Sequence, residues 1–346
     1  MRTTDRGTAR GGIIPFLAAG AAGVALACAI SRRLRRIDFQ GLSVVITGGS
    51  RGLGLEIARH FAAEGAKLTL LARDPDELDR ATDQLRPSGA DVVAIACDVR
   101  NRQAVEEAVG AIIEKRGAID VLINNAGVIE VAPFENLDLD DFQESVDTHA
   151  WGPLHLIRAV VPHLKGRKTG RIVNISSIGG IVAVPHLLAY SMGKFALTGL
   201  SDGFRAELAK DGIRVTTVIP GLMRTGSHVN AFFKGQHRKE FAWFAISGAN
   251  PLVSTSASRA ARRIVDACRF GDPRLIITFP AYLLHLVNAL FPGITAFGTS
   301  LAARLLPAPV PPGGNSLHTG KESSSAAAPS FLTKPSDKVI ALNNEQ

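Results

Sequence analysis

Leu42-Ser43-Val44-Val45-Ile46-Thr47-Gly48-Gly49-Ser50-Arg51-Gly52-Leu53-Gly54-Leu55-Glu56-Ile57-Ala58 reads as an apolar strand, a glycine-rich turn and the start of an apolar helix. A run as uncharged and β-branched as Val44-Val45-Ile46 suits a strand covered on both faces, as in a parallel sheet. Gly48, Gly52 and Gly54 let the backbone approach a pyrophosphate, whose charge then meets the N-terminus of the helix. Three glycines alone are a weak signal. The strand before them and the helix after them supply the context that gives the turn its meaning.

Outward from this turn, short apolar runs alternate with amphipathic stretches. Leu42–Thr47, Lys67–Ala72, Val92–Cys97, Ile119–Asn124, Arg171–Ser176, Ile213–Ile219 and Leu275–Phe279 read as strands. Leu53–Glu64, Arg102–Lys115 and Ala189–Lys210 read as helices between them. Strand and helix taking turns implies right-handed crossovers and an α/β fold, a Rossmann-like doubly wound parallel sheet in a single catalytic domain over residues 37–280. Within it, residues 222–253 lose the strand rhythm and carry Phe232, Phe233, Phe241, Trp243 and Phe244, which reads as a substrate lid. Residues 281–306 are apolar and interrupted by Pro292 and Gly293, expected as a broken helical extension. Residues 307–346, rich in Pro, Ser, Ala and Lys, are expected to be a disordered tail.

The chain of 346 residues carries a net charge of +8. Seven arginines and one acid within residues 1–36 account for six of those charges, so the catalytic region is close to neutral and a nucleic-acid partner is not indicated. The arginines flank eighteen uncharged residues, Ile13–Ile30, near the lower length for a membrane span. Arg32, Arg33, Arg35 and Arg36 follow directly, so residues 1–36 read as a membrane anchor, spanning or surface-bound, with the catalytic domain in the cytoplasm. Three scattered cysteines offer neither a disulfide framework nor a metal site.

Tyr190 and Lys194 stand four apart, on one face of a helix, thirteen residues after Ser177. An ammonium beneath a phenol favours its ionised form and makes it usable as an acid or base near neutral pH. Ser177 supplies a hydrogen-bond donor for the charge that builds on a carbonyl oxygen as hydride reaches its carbon; Ser176 is its neighbouring substitute. At the end of the second strand, where an acid would bind the ribose hydroxyls of NAD, the chain reads Ala72-Arg73. With Arg51 in the glycine turn, two guanidiniums near the adenosine 2′ position favour NADP(H) over NAD(H).

In their order, Thr47-Gly48-x-x-x-Gly52-x-Gly54, Cys97-Asp98-Val99, Asn124-Asn125-Ala126-Gly127, Ser177, Tyr190-x-x-x-Lys194 and Pro220-Gly221 with Thr225 resemble the short-chain dehydrogenase/reductase superfamily from about Gly41 to Phe279. The resemblance implies that Thr47, Gly48, Ser50, Arg51, Gly52, Leu53 and Gly54 form the phosphate turn and that Arg73, Asp98 and Val99 surround the adenosine. It further implies that Asn125, Ala126 and Gly127 line the cofactor and that Pro220, Gly221 and Thr225 hold the nicotinamide. Ser177 would hold the substrate oxygen, Tyr190 would exchange its proton, and Lys194 would bind the ribose and lower the Tyr190 pKa. Where the family commonly places a catalytic asparagine, alignment on Gly152 puts His149, whose imidazole accepts and donates one hydrogen bond each.

The expectation is an NADP(H)-dependent oxidoreductase interconverting a carbonyl and a secondary alcohol on a lipophilic substrate, with Tyr190 as general acid/base. It is expected to form a homodimer or homotetramer through the helices following Asp141 and Ala189. The alternative is an NADP(H)-binding sensor or scaffold with little turnover, motivated by His149 and the long tail.

Overall fold

The computed structural model describes residues 23, 26–311, 315–325, 328–330 and 333–345. Seven strands, β1 Ser43–Thr47, β2 Lys67–Ala72, β3 Val92–Ala96, β4 Val121–Asn124, β5 Gly170–Ile175, β6 Ile213–Pro220 and β7 Arg274–Ile277, form one sheet. Every pairing in it is parallel and the order is β7-β6-β5-β4-β1-β2-β3. The chain therefore winds outward from β1 through β2 to β3, returns to β4, and winds the other way. The direction reverses between β1 and β4, and a doubly wound sheet opens its crevice at the carboxyl ends of such strands.

The helices are α1 Gly52–Ala63, α2 Pro75–Leu85, α3 Arg102–Arg116, α4 Leu139–Val146, α5 Gly152–Arg167, α6 Leu188–Leu208, α7 His237–Ala249, α8 Ala257–Phe270, α9 Phe279–Leu290, α10 Pro292–Ala303 and the single turn α11 Lys334–Asp337. Alternation along the strands divides the core into two layers. Val44 and Ile46 of β1 pack with Phe61 of α1 and Ile264 of α8. Val45 points the other way, with Val109 of α3 and Ile157 of α5. Because both faces are covered, the strands carry no polar alternation.

One polar ladder crosses this core. Asn124 donates to Asn174 at 2.8 Å, Asn174 donates to Ser201 at 2.9 Å, and the Ser201 hydroxyl meets that of Thr217 at 2.7 Å. All four side chains are buried, so their bonds lock β4, β5, α6 and β6 into register in a medium where an unmade bond is costly.

At the amino end, residues 26–34 are helical and the arginines after them belong partly to the domain. Arg32 pairs with Asp272 at 2.8 Å and lies 3.9 Å from the Phe270 ring centroid, and the Arg35 carbonyl accepts from Arg171 at 2.7 Å. Among the described residues no helix is long and apolar enough to cross a membrane. Most of the run Ile13–Ile30, on which the anchor expectation rests, lies outside the described residues.

The lid region differs from its strandless expectation. Leu222–Arg224 pairs in parallel with Ser254–Ser256, and Phe232–Phe233 pairs with Glu130–Val131 and with His318–Thr319. Helix α7 follows, with Phe241 buried against Phe233 at 5.5 Å between ring centroids. Helices α9 and α10 expose much of their apolar surface, including Phe279 and Phe297.

The expected disordered tail is also corrected. Among its described residues, His318–Thr319 adds a strand to the lid, and Ser336, Asn343, Asn344 and Glu345 are buried against the domain. Polar side chains that spend their hydrogen bonds on the domain backbone leave no apolar pattern in sequence for a packed segment.

Substituting Asn174→Ala orphans the Asn124 amide and breaks the link to α6. Chemical denaturation is expected to show a loss of about 1–3 kcal/mol with the far-ultraviolet spectrum retained; a change within a few tenths would show the ladder to be energetically idle.

Candidate active site

The site is built where β1 ends. The Thr47 hydroxyl accepts from the backbone N–H of Asn125 and of Ala126, each at 3.0 Å, and donates to the Ile123 carbonyl at 3.3 Å. The Asn125 amide donates to the Thr47 and Gly48 carbonyls, both at 3.1 Å. Thr47 thus fastens the end of β1 to the end of β4, one residue before the glycine turn begins.

Two glycines there are required by contact. Gly48 has φ of +60° and a Cβ on it would lie 2.9 Å from Ala126 Cα; a Cβ on Gly54 would lie 1.9 Å from the Gly48 carbonyl oxygen. The backbone therefore folds tightly enough to present the first turn of α1 to the crevice, the arrangement a diphosphate requires. This cradle, which any side chain would fill, fits the dinucleotide that the motif implies.

A cavity of about 950 Å³ runs from this turn across the carboxyl ends of the strands. Gly48, Ser50, Arg51, Gly52 and Leu53 line one end with Arg73, Asp98 and Val99; Asn125, Ala126 and Gly127 form its floor. Pro220, Gly221 and Thr225 line the far side, and Ser177, Tyr190, Lys194 and His149 meet in the same space. Thr47 and Gly54 lie behind the wall. The remaining wall is apolar, with Met223, Trp243, Phe244 and Leu284 among its residues.

At the adenosine end, Arg73 makes no hydrogen bond or ion pair among the described residues, although its charge acts on Asp98. Burial by itself would raise the Asp98 carboxyl; Arg100, bonded to it at 2.6 Å, outweighs burial and holds it below the usual carboxylate range. Arg51 is less free than its sequence position implies. Glu77 at the start of α2 pairs with it at 2.6 Å and accepts from Ser50 at 2.9 Å, while Asn230 also accepts from Arg51 at 3.1 Å.

Tyr190 and Lys194 lie on α6 with Lys194 Nζ 5.7 Å from the phenol ring centroid. The Ser177 hydroxyl accepts from the Gly179 N–H at 3.1 Å and is left to donate to Tyr190. Ser176 serves the framework, donating to the Lys194 carbonyl at 3.1 Å. The expected lowering of the Tyr190 pKa by Lys194 is not found in this arrangement. Burial raises the phenol above its ordinary value, opposed only by the Ser177 hydrogen bond. The same burial pushes Lys194 down to about 7, and its ammonium donates to the Ile175 carbonyl at 2.9 Å.

His149 lies in a π-helical turn, Asp147–Trp151, between α4 and α5. Its Nε2 accepts from the Val128 N–H at 3.2 Å, which requires Nδ1 to carry the proton. Nδ1 then donates to the Ser145 hydroxyl at 3.2 Å, which donates onward to the Ala189 carbonyl at 2.7 Å. Both ring nitrogens are spent on the protein, so the side chain offers no open bond for a proton relay. Burial first, then the Lys194 charge, holds its pKa well below the ordinary histidine value.

Sequence reasoning missed Gly193, where a Cβ would meet Ser145 Oγ at 2.7 Å and His149 Nδ1 at 2.9 Å. It also missed Ser145 and Glu77. A glycine directly before Lys194 was a signal available for the first; the other two are polar residues on helices, indistinguishable in sequence from solvated ones.

The family model described as short chain dehydrogenase matches residues 43–234. Oxidoreductase UcpA of Escherichia coli K12 is 40% identical over 186 residues, covering 54% of this chain and 70% of that protein. Dehydrogenase/reductase SDR family member 7B of Danio rerio is 37% identical over 222 residues, covering 62% and 72%. The crystal structure of L-sorbose reductase from Gluconobacter frateurii complexed with NADPH and L-sorbose superposes with a TM-score of 0.63 at 28% identity, covering 70% of this chain and 97% of that one. NAD+-bound xylitol dehydrogenase gives 0.60 at 27% identity, covering 70% and 99%.

The hydrogen-bond pattern predicts that His149 stays neutral, with Nδ1 protonated, well below the pH at which an exposed histidine titrates. Nitrogen-detected imidazole spectra across a pH series check this; a titration near the ordinary value of about 6.5 would contradict it.

Proposed function

The chain belongs to the short-chain dehydrogenase family of oxidoreductases, and from that premise we propose that it interconverts a carbonyl and a secondary alcohol on a lipophilic substrate, with NADP(H) as the preferred cofactor. The observation that carries this reading is the shared cavity, in which Tyr190, Ser177 and Lys194 face the same space as the glycine turn and an apolar wall. A nicotinamide nucleotide, which known structures of this fold bind as NADPH or NAD+, would supply or accept the hydride.

The chain's own residues supply the rest. Ser177 donates a hydrogen bond to the substrate oxygen as charge builds on it, and the Tyr190 phenol delivers the proton that turns that oxygen into a hydroxyl. In the oxidative direction Tyr190 receives the proton instead. Burial raises the Tyr190 pKa, so the phenol is protonated at neutral pH and holds the proton that reduction requires, while oxidation needs it ionised. Lys194, buried beside Tyr190, contributes charge only below its depressed pKa of about 7 unless a bound nucleotide raises it again.

Preference for NADP(H) is supported by Ala72, which puts no carboxylate beside the ribose, and by Arg73, whose guanidinium is unpaired among the described residues. Arg51 joins it only by exchanging Glu77 for a phosphate. The apolar wall and the exposed apolar helices α9 and α10 support a lipophilic substrate met at a membrane surface; its placement on the cytoplasmic side rests on the arginines that follow Ile30 in sequence. Assembly as a homodimer or homotetramer through α4 and α6 is supported by exposed Leu139, Met192 and Phe195 on those helices. The spent nitrogens of His149 favour a second reading, a nucleotide-binding sensor with little turnover; the intact set of Ser177, Tyr190 and Lys194 counts against it.

Tyr190→Phe is expected to cut turnover of NADPH with a panel of lipophilic ketones and aldehydes by roughly 10²–10⁴-fold, leaving NADPH affinity unchanged in calorimetry. Equal turnover in both proteins would remove Tyr190 from the chemistry, and absence of turnover in either direction with tight NADPH binding would favour the sensor.

A further inference from the structure

Residues 333–345 cross the front of the glycine turn. The Asn343 carbonyl accepts from the Gly52 N–H at 2.8 Å, and Gly52 is the first residue of α1. The Asn344 amide donates to the Ser50 carbonyl at 2.8 Å and to the Glu77 carbonyl at 2.9 Å, and the Asn343 amide donates to the Thr225 carbonyl at 3.1 Å. Arg80 of α2 holds Asn344 Oδ1 at 3.0 Å, and Asp337 lies 3.3 Å from His228. The segment is therefore tied to the turn, to α2 and to the loop after β6 together.

Glu345 occupies the centre of these contacts. It is 2% exposed, Asn230 donates to its carboxylate at 2.6 Å and to its carbonyl at 3.1 Å, and the Arg51 charge faces it. A Cβ on Gly52 would lie 2.6 Å from its Oε1, so the carboxylate sits against the backbone that opens α1. An anion, a helix N-terminus and a guanidinium are the partners a bound diphosphate would bring together. Here the chain provides the anion itself, and a tail carbonyl already takes the Gly52 N–H. A phosphate cannot use that donor or that space while the segment is docked.

We propose that residues 333–345 are a built-in competitor for the dinucleotide, with Glu345 standing in the place of the phosphates and the site opening when the segment leaves. The proposal rests on reading the glycine turn as the dinucleotide site. Three features make the contact suited to exchange. It is held by polar contacts, to backbone carbonyls, to one N–H and to the side chains of Arg80, Asn230 and His228; its anion is a single carboxylate where a diphosphate brings more charge; and α11, its only helix, is one turn long. Burial pushes the Glu345 carboxyl up to about 7 against the pull of Arg51 and Asn230, so its charge is poorly compensated in the docked state. Occupancy of the closed state reduces apparent affinity in proportion, so a segment docked nine-tenths of the time weakens the cofactor about tenfold.

Calorimetric titration with NADP+ of the full chain, of the chain lacking residues 333–346, and of full-length Glu345→Ala/Asn344→Ala tests this. The truncated chain is expected to bind about tenfold more tightly, the double variant to move the same way, and a synthetic peptide of residues 333–346 added to the truncated chain to restore the weaker binding. Hydrogen exchange supplies a second readout, in which the amides of residues 338–345 in the full chain lose protection on saturation with NADP+. Equal affinity in all three proteins, or tail amides that stay protected with NADP+ bound, overturns the proposal and leaves the reading of the turn standing. Failure of every protein to bind NADP+ overturns both.

Discussion

The rest of the site depends on the fastening of β1 to β4 through Thr47. One hydroxyl accepts two backbone N–H groups and donates to a carbonyl, and the Asn125 amide closes the same junction from the other side. Because the sheet reverses direction between these strands, this is the point where a crevice must open. Fixing it fixes the Gly48 carbonyl, against which Gly54 is pressed without room for a Cβ. The start of α1 is thereby aimed into the crevice, and Gly127 in the next turn lies beside His149 and Lys194. A displacement of either strand would move the phosphate turn and the catalytic helix relative to one another.

Burial sets the electrostatics of the site more than pairing does. Tyr190 is pushed towards its neutral form and Lys194 towards its own, and each shift is driven by the same loss of water. The pairing rule that places an ammonium under a phenol describes only one of two opposed effects. Restored charge on Lys194 would need an acceptor beyond the Ile175 carbonyl that it already meets. His149 follows the same logic further: fully buried and with both nitrogens bonded, it is a neutral brace between α4 and the Val128 backbone.

Local patterning made the seven strands, the turn and the Ser177, Tyr190 and Lys194 set readable, because each depends on periodicity or on short spacing within one element. The contacts that escaped were those joining distant residues through ordinary polar groups. Nothing around Glu77 marks it as the partner of Arg51 and Ser50, and its place follows only from how α2 lies beside the turn. The tail shows the limit most clearly. Its bond from Asn344 to Ser50 spans 294 positions and uses a backbone carbonyl, so the polar composition that resembles disorder also suits a docked strap. Arg32 and Arg35, conversely, read in sequence as the positive flank of an anchor and are engaged by Asp272 and the Phe270 carbonyl.

The central claim is that the glycine turn and the Tyr190 end of the cavity serve one bound nucleotide. A crystal structure of the full chain grown with saturating NADP+ tests it most directly. The account predicts the diphosphate at Gly48–Gly54, the adenosine 2′-phosphate beside Arg73, the nicotinamide beside Tyr190, and Glu345 displaced. A nucleotide bound elsewhere, or a diphosphate seated on the turn with its nicotinamide turned away from Tyr190, would contradict it.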